Sequence, residues 1–286
     1  MEVAVRANAK LAEGPRWDAA TRRLLWVDIE GCDLHVLEGG EDRAIALDAM
    51  VGAASPTAIG AVLVALADRL ALVDLADESV HTLVRLPHGP RLRSNDGACD
   101  AAGRFWIGTM ELDQAPGAGA LYRFDGTLER VLDGVTLSNG LGWTRDDTRM
   151  YYIDSPAQRV DVFDFDLASG QLDRRRPFVS IDRTDGIPDG LAVDDEGGVW
   201  VALYGGGGVH RYDERGHLDA VLEVPADNVT SCCFGGDDGR SLFVTTAAPD
   251  GNVYVTQPGV SGPPAHAFHI GGTRTAPSEA EDTSAR

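Results

Sequence analysis

The fold is decided by the stretch SNDGACDAAGRFWIGTM, residues 94–110, because its pattern recurs along the chain. Related copies read SNGLGWTRDDTRMYYIDS in residues 138–155 and PDGLAVDDEGGVWVALY in residues 188–204. Each copy begins with Asn or Asp close to Gly and continues into a short apolar strand. A turn rich in Asp and Gly then leads into a second strand that is rich in aromatic residues. The recurrence indicates a repeat protein made of short strands.

Three weaker copies extend the repeat over nearly the whole chain. They begin at Glu13, near Ser55 and near Thr230, which gives a period of about 40–50 residues. Four short strands per repeat at this period are typical of the blades of a β-propeller. No long stretch of helical periodicity separates the strands, which argues against alternating strands and helices. We therefore predict an all-β chain folded as a six-bladed β-propeller.

The ends of the chain have different predicted roles in this propeller. The strand-like segment EVAVRA, residues 2–7, precedes the first repeat. We expect it to complete the last blade, because an open ring would expose a sheet edge. The predicted domain is a single one over residues 1–270. The polar tail, residues 271–286, has little to bury, and we expect it to be disordered.

Composition and charge exclude several classes of protein. The chain has 45 acidic and 25 basic residues and a formal net charge of −20, so nucleic acid and anionic membrane surfaces are not expected partners. No apolar run approaches the roughly 20 residues of a membrane span, and no secretory signal is visible. Lys10 is the only lysine and follows no glycine-rich loop, which excludes a P-loop. We expect a cytoplasmic protein that is a monomer or a weak homo-oligomer.

Oxygen-bearing side chains open four of the six repeats. They are Glu13, Asn95, Asn139 and Asp189. Equivalent positions of successive blades lie on one ring about the propeller axis, so these side chains are expected to meet at one mouth of the channel. Two carboxylates and two amide carbonyls form a hard oxygen cage that suits a divalent cation. The alternative is that these Asn-Gly and Asp-Gly pairs only form turns.

These repeats carry motifs that resemble the SMP-30/gluconolactonase/regucalcin family, also described as luciferin-regenerating enzyme-like, a family of six-bladed propeller lactonases. The resemblance covers almost the entire chain up to about residue 270. The motifs are EGPRWD (13–18), RSNDG (93–97), GRFWIGTM (103–110), SNGLGW (138–143), YYIDS (151–155), IPDGLAVD (187–194), VWVALY (199–204) and SCCFGG (231–236).

The resemblance implies a role for several of these residues. Glu13, Asn139 and Asp189 would bind one divalent metal ion, with Ca²⁺ as the first expectation and Zn²⁺, Mn²⁺, Mg²⁺ or Fe²⁺ as alternatives. Arg93 and Asn95 would hydrogen-bond a sugar lactone, and the guanidinium of Arg93 offers a planar fork of donors for that purpose.

One position departs from the family pattern. Relatives place a substrate-binding Glu after the Thr-Met dipeptide, whereas this chain continues with Glu111, Leu112 and Asp113. The choice between Glu111 and Asp113 is open at this level, and Asp113 is our candidate.

The expected reaction is the opening of lactones such as gluconolactone, xylonolactone or arabinonolactone by metal-activated water. Asp189 is the candidate catalytic base, because a carboxylate ligand keeps a free oxygen that can accept a proton. In the alternative, Asp189 is a ligand only. Two further functions stay open at the level of the sequence: a phosphotriesterase-like hydrolase on the same propeller, and a non-catalytic propeller that binds a metal or a partner.

Overall fold

The computed structural model describes residues 1–269, which form six antiparallel sheets of four strands each. The innermost strand of each sheet contacts the innermost strands of its two neighbours, so the sheets close into a ring. The predicted all-β, six-bladed β-propeller is therefore confirmed. The only helices among the described residues are two 3-10 turns, at Ser155–Ala157 and Arg183–Asp185. No helix in this part of the chain is long and apolar enough to cross a membrane.

The strands of each blade follow one another in sequence from the centre of the ring outward. Blade 1 has β2 (Ala12–Asp18), β3 (Arg23–Asp28), β4 (Asp33–Glu38) and β5 (Glu41–Ala46); blade 2 has β6 (Val51–Pro56), β7 (Val62–Leu66), β8 (Arg69–Val73) and β9 (Val80–Arg85). Blade 3 has β10 (Leu92–Cys99), β11 (Phe105–Glu111), β12 (Gly119–Phe124) and β13 (Leu128–Val135); blade 4 has β14 (Ser138–Trp143), β15 (Arg149–Asp154), β16 (Arg159–Asp166) and β17 (Gln171–Ser180). Blade 5 has β18 (Ile187–Val193), β19 (Val199–Tyr204), β20 (Gly208–Tyr212) and β21 (Leu218–Glu223).

Blade 6 is built from both ends of the described chain. It contains β22 (Val229–Gly235), β23 (Ser241–Thr246), β24 (Val253–Thr256) and the N-terminal strand β1 (Glu2–Val5). Strand β1 pairs antiparallel with β24 and lies outermost in the blade. This pairing joins the first and last strands of the ring, which covers an edge that would otherwise be open. The disorder expected for residues 271–286 concerns a segment outside the described residues.

The apolar core lies between the blades and not inside any single one. Each of six buried clusters draws its members from two neighbouring blades, as where Trp106 of blade 3 meets Trp143 of blade 4 with ring centroids 6.1 Å apart. Because a central strand has neighbouring blades on both faces, strands such as β7 are buried along their whole length. The outermost strands face solvent, and β21 is almost entirely exposed.

The segment after β24 crosses one end of the propeller. The Ala265 N–H donates to the Trp17 carbonyl, and the Phe268 N–H donates to the Pro56 carbonyl. The Phe268 ring is buried in the cluster between blades 2 and 3. This segment borders a cavity of about 180 Å³ that is also lined by Cys99, Cys232 and Cys233. Burial raises the pKa of the Cys99 and Cys233 thiols to about 12, so both are protonated and unreactive at neutral pH.

Candidate functional site

The inner strand of every blade carries an irregularity at a corresponding level of the ring. The register of pairing with the second strand shifts after Glu13 in β2, Val51 in β6, Ser94 in β10, Ser138 in β14, Pro188 in β18 and Val229 in β22. A β-bulge breaks the strict alternation of side chains and redirects the residue at the break. Asn95, Asn139 and Asp189 lie inside these breaks, and Glu13 is the last paired residue before the break in β2, so the bulges explain how these side chains depart from the regular alternation of the sheets.

The redirected side chains line a cavity of about 660 Å³ at the end of the ring opposite the C-terminal crossing. Glu13, Asn95, Asn139 and Asp189 all contribute to its wall. The lining residues come from all six blades, which places the cavity on the central axis of the propeller. As predicted, these four side chains therefore lie around one end of the central channel.

Blade 2 supplies no oxygen ligand to this level of the ring. Its register shift falls between Val51 and Ala53, so Gly52 and not Ser55 is the equivalent of the other repeat openings. The placement of this repeat start near Ser55 is thus corrected by three residues. Ser55 lies further along the strand, where its hydroxyl is 3.1 Å from the Cys99 sulfur. A Cβ atom on Gly52 would overlap the carbonyl oxygen of Asn95, so the missing side chain allows the two inner strands to approach.

Glu13, Asn139 and Asp189 line the same part of the cavity wall. Interactions with the Asn139 and Glu13 side chains lower the pKa of Asp189 and so partly offset the effect of burial. Glu13 and Asn139 are buried, whereas Asp189 is partly exposed to the cavity. One Glu13 oxygen accepts the Gly14 N–H at 2.5 Å, and the Asn139 amide nitrogen donates to the Ser155 hydroxyl at 3.0 Å.

Burial and the neighbouring Asp96 carboxylate disfavour the charged form of both carboxyl groups. Burial, the Asp189 carboxylate and the Asp96 carboxylate raise the pKa of Glu13 well above its usual value. Burial and the Asp96 carboxylate likewise raise the pKa of Asp189 well above its usual value. Desolvation and like-charge repulsion both favour the neutral acids, and a nearby cation would reverse that preference.

The donor set fits a divalent cation that prefers oxygen ligands. The Asn139 side-chain oxygen is buried and accepts no hydrogen bond from any described residue, so a lone pair is available beside two carboxylates. Among residues 1–269, no three His, Cys, Asp or Glu side chains are grouped closely enough to hold a metal ion, so a cation bound by Glu13 and Asp189 would take the neutral Asn139 amide as a further ligand. Two carboxylates and one amide carbonyl form an all-oxygen donor set, which suits Ca²⁺, Mg²⁺ or Mn²⁺. Structural zinc sites typically use nitrogen and sulfur ligands instead.

Arg93 and Asn95 form one hydrogen-bonded unit beside these ligands. The Arg93 Nη1 donates to the Asn95 side-chain oxygen at 2.8 Å and to the Ser94 carbonyl at 2.9 Å. The Asn95 amide nitrogen donates to the Ser138 carbonyl at 2.9 Å, so both polar atoms of this side chain have protein partners. Within the described residues, the hydrogen bonds of Arg93 all leave from Nη1, which leaves its Nε and Nη2 donors for a ligand. Burial lowers the pKa of Arg93 from its usual value.

The structure does not bring Asp113 to the cavity. Its side chain is 79% exposed, and one carboxylate oxygen lies 2.5 Å from Nη2 of Arg91. The Glu111 carboxylate is also outside the cavity, where it accepts the N–H groups of Asp113 and Ala115 and pairs with Arg91. Strand β11 ends at Glu111, and Leu112 and Asp113 lie in the turn that follows it. The residue between them, Leu112, lines the cavity instead.

The sequence patterns do not predict a buried ion pair, Arg16–Asp96, that lies near Glu13 and Asp189. Nη2 of Arg16 donates to the Asp96 carboxylate at 3.1 Å and to the Gly97 carbonyl at 3.0 Å. Asp96 in turn interacts electrostatically with Glu13 and Asp189. The two partners are 80 positions apart in the chain, and no pattern in the sequence relates them.

Fold and cavity together define a class: six-bladed propellers with an axial oxygen-rich cavity at one mouth. The chain belongs to the family described as the SMP-30/gluconolactonase/LRE-like region, whose profile matches residues 11–248. The resemblance deduced from the motifs is thereby confirmed.

Several individual proteins are similar to this chain over most of its length. It is 37% identical to a putative sugar lactone lactonase, YvrE, of Bacillus subtilis over 84% of either chain. It is also 37% identical to regucalcin of Danio rerio over 86% of either chain. A crystal structure described as a calcium-binding protein, regucalcin, from Agrobacterium tumefaciens superposes with a TM-score of 0.91 at 28% identity, covering 94% of this chain and 97% of that one.

Proposed function

We propose that this protein is a divalent-metal-dependent lactonase that opens sugar lactones. The observation that carries the proposal is one cavity wall that holds two acidic side chains, Glu13 and Asp189, and a buried amide oxygen of Asn139 without a protein partner. Arg93 lines the same cavity and has free donors. The family membership and the lactonase name of the Bacillus relative support the same activity.

Glu13, Asn139 and Asp189 would hold the cation. When bound, a divalent cation supplies Lewis acidity toward a carbonyl oxygen and lowers the pKa of water. Asp189 is the ligand that is open to the cavity, so its carboxylate is placed to accept a proton from the attacking water. Water adds to the lactone carbonyl, the ring C–O bond breaks, and the product is an open-chain hydroxy acid.

Arg93 would bind and orient the lactone. Its Nε and Nη2 groups can donate to ring or hydroxyl oxygens, while its Nη1 is held by Asn95 and Ser94. Asn95 would position Arg93 through its side-chain oxygen, and the second N–H of its amide would donate to the lactone.

The proposal is tested with a panel of aldonolactones, assayed after removal of metal by a chelator and after addition of Ca²⁺, Mn²⁺, Mg²⁺ or Zn²⁺. We expect chelation to abolish turnover and one or more of these cations to restore it. Asp189→Asn is expected to lower kcat by about 10²–10⁴-fold. Asp237→Asn, which removes an exposed carboxylate from the chain surface, is the matched control and should leave kcat unchanged.

Full activity in the chelated protein would refute the proposal. Cation binding without turnover of any lactone would favour a non-catalytic binding propeller. Hydrolysis of paraoxon in preference to every lactone would favour the phosphotriesterase-like alternative.

A further inference from the structure

The side-chain amide of Asn139 has one atom that can bind a cation and one that cannot. Its oxygen is buried and accepts no hydrogen bond from any described residue, whereas its nitrogen donates to the Ser155 hydroxyl at 3.0 Å. The oxygen has lone pairs to offer, while the nitrogen carries only N–H donors. The rotation of the amide therefore decides whether Asn139 is a ligand for a cation or opposes it.

The Ser155 hydroxyl supports the rotation that leaves the amide oxygen free. Asn139 and Ser155 both line the axial cavity, and each is only 3% exposed, so bulk water has little access to the amide nitrogen as an alternative acceptor. The Asp189 carboxylate, which interacts with the Asn139 side chain, is a competing acceptor. An amide nitrogen that donated to this carboxylate would compete with a cation for the same oxygens.

The backbone of Ser155 is anchored to the chain that leads into β14. Ser155 begins the 3-10 turn that follows β15, and its N–H donates to the Leu137 carbonyl at 3.1 Å. The carboxylate of the preceding residue, Asp154, accepts the Leu137 N–H at 2.9 Å. Leu137 lies two positions before Asn139, so these two hydrogen bonds fix the Ser155 hydroxyl relative to the amide that it contacts.

We propose that Ser155 is a positioning residue that accepts the Asn139 N–H and so leaves the amide oxygen to the cation. The inference rests on the cation site of the proposed function and adds a residue that acts on the cation through Asn139. Without the Ser155 hydroxyl, the amide of the metal-free protein can donate to Asp189 instead. In the cation-bound protein both the Asp189 carboxylate and the Asn139 oxygen are occupied, so the amide nitrogen would stay buried without an acceptor, which disfavours binding.

The test measures binding of Ca²⁺, Mg²⁺ and Mn²⁺ to the full chain by isothermal titration calorimetry, which does not depend on turnover. Ser155→Ala is expected to raise the Kd of the bound cation about 10–100-fold. Ser55→Ala is the matched control, because it removes a buried serine hydroxyl from β6 that does not line the axial cavity, and it should change Kd less than about twofold. Melting curves of the metal-free variants show whether each one is folded.

Two further variants separate positioning from a general effect on the fold. Ser155→Thr keeps the hydroxyl and should bind the cation within about threefold of the wild-type Kd. In the Asn139→Ala background, which has no amide to position, adding Ser155→Ala should change Kd less than about twofold. A further loss of affinity in this double variant would overturn the inference, since Ser155 would then act independently of Asn139.

The outcomes distinguish this inference from the proposed function. If Ser155→Ala binds the cation as tightly as the wild-type protein, while chelation still abolishes lactone turnover, the inference is wrong and the lactonase proposal stands. A folded Ser155→Thr variant that loses as much affinity as Ser155→Ala would also overturn the inference. If the wild-type protein binds none of the three cations, the cation site and the inference both fail.

Discussion

Removing Arg16 should destabilise the protein more than removing any surface arginine. Arg16 is 7% exposed and Asp96 is 2% exposed, and their closest charged atoms are 3.1 Å apart. In the Arg16→Met variant, Asp96 keeps the Gly97 N–H as a partner but loses its counter-ion, while Glu13 and Asp189 stay nearby. Deleting one partner of a buried ion pair typically costs about 3–5 kcal/mol, because the other charge remains buried and uncompensated.

This free energy converts into a measurable change of the melting temperature. An unfolding entropy of roughly 2.1 cal/mol/K per residue over 286 residues gives about 0.6 kcal/mol/K, so the expected decrease in Tm is about 5–8 °C. The assay is urea unfolding followed by tryptophan fluorescence, with chelator present so that cation binding does not mask the loss. Arg22→Met is the matched control, because Arg22 pairs with Asp237 at the exposed surface and should contribute less than about 1 kcal/mol.

The double variant Arg16→Met/Asp96→Asn decides whether the ion pair is the cause. Asp96→Asn removes the orphaned charge and keeps an oxygen for the Gly97 N–H, so the double variant should recover at least about 2 kcal/mol relative to Arg16→Met. A single variant that loses less than about 1 kcal/mol would refute this reasoning. So would strict additivity of the two substitutions, since it would mean that the two side chains do not interact.

Two further predictions concern the metal ligands and the second blade. Because Glu13 and Asp189 have raised pKa values in the folded protein, that state binds more protons than the unfolded chain, and the metal-free protein should lose stability as pH rises from about 4 through these raised values. Ca²⁺ at about one hundred times its Kd should raise the free energy of unfolding by about 2.7 kcal/mol, which corresponds to a rise in Tm of about 5 °C. In a thermal-shift series this gain should shrink on acidification. A gain that is independent of pH would contradict the assignment of both carboxylates. Gly52→Ala should lower the free energy of unfolding by about 1–3 kcal/mol in urea titrations, because the added Cβ overlaps the Asn95 carbonyl. The same overlap should also reduce kcat/KM. Wild-type stability of this variant would contradict the close approach of the two inner strands.

Much of the fold could be predicted because a propeller repeats one local pattern. The alternation of short strands and Asp/Gly turns in residues 94–110, 138–155 and 188–204 is visible without any knowledge of distant contacts. The predicted start of the repeat was least accurate in blade 2, because its inner strand carries Gly52 where other blades carry a polar side chain. No oxygen-bearing residue marks that break, and only the pairing register with β7 locates it.

The position of the candidate site was predictable and its substrate specificity was not. Asn139 and Asp189 occupy corresponding places in their repeats, and Glu13, one register position earlier in its own blade, lines the same cavity. Asp113 was a different case: its neighbour Leu112 faces the cavity, and the choice between adjacent residues depends on the side on which β11 leaves the sheet. Arg91 settles that choice through its ion pairs with Glu111 and Asp113.

The sequence by itself determined the closed ring of six blades and the oxygen-bearing side chains that the ring brings to one cavity, because both follow from a repeat that can be read along the chain. Only the tertiary structure decided which side chains complete the cavity and what lies beneath it. The Arg16–Asp96 pair and the unpartnered Asn139 oxygen depend on which strands become neighbours around the axis. Those partners are far apart in the chain, and their interaction depends on distances and burial that no local pattern encodes.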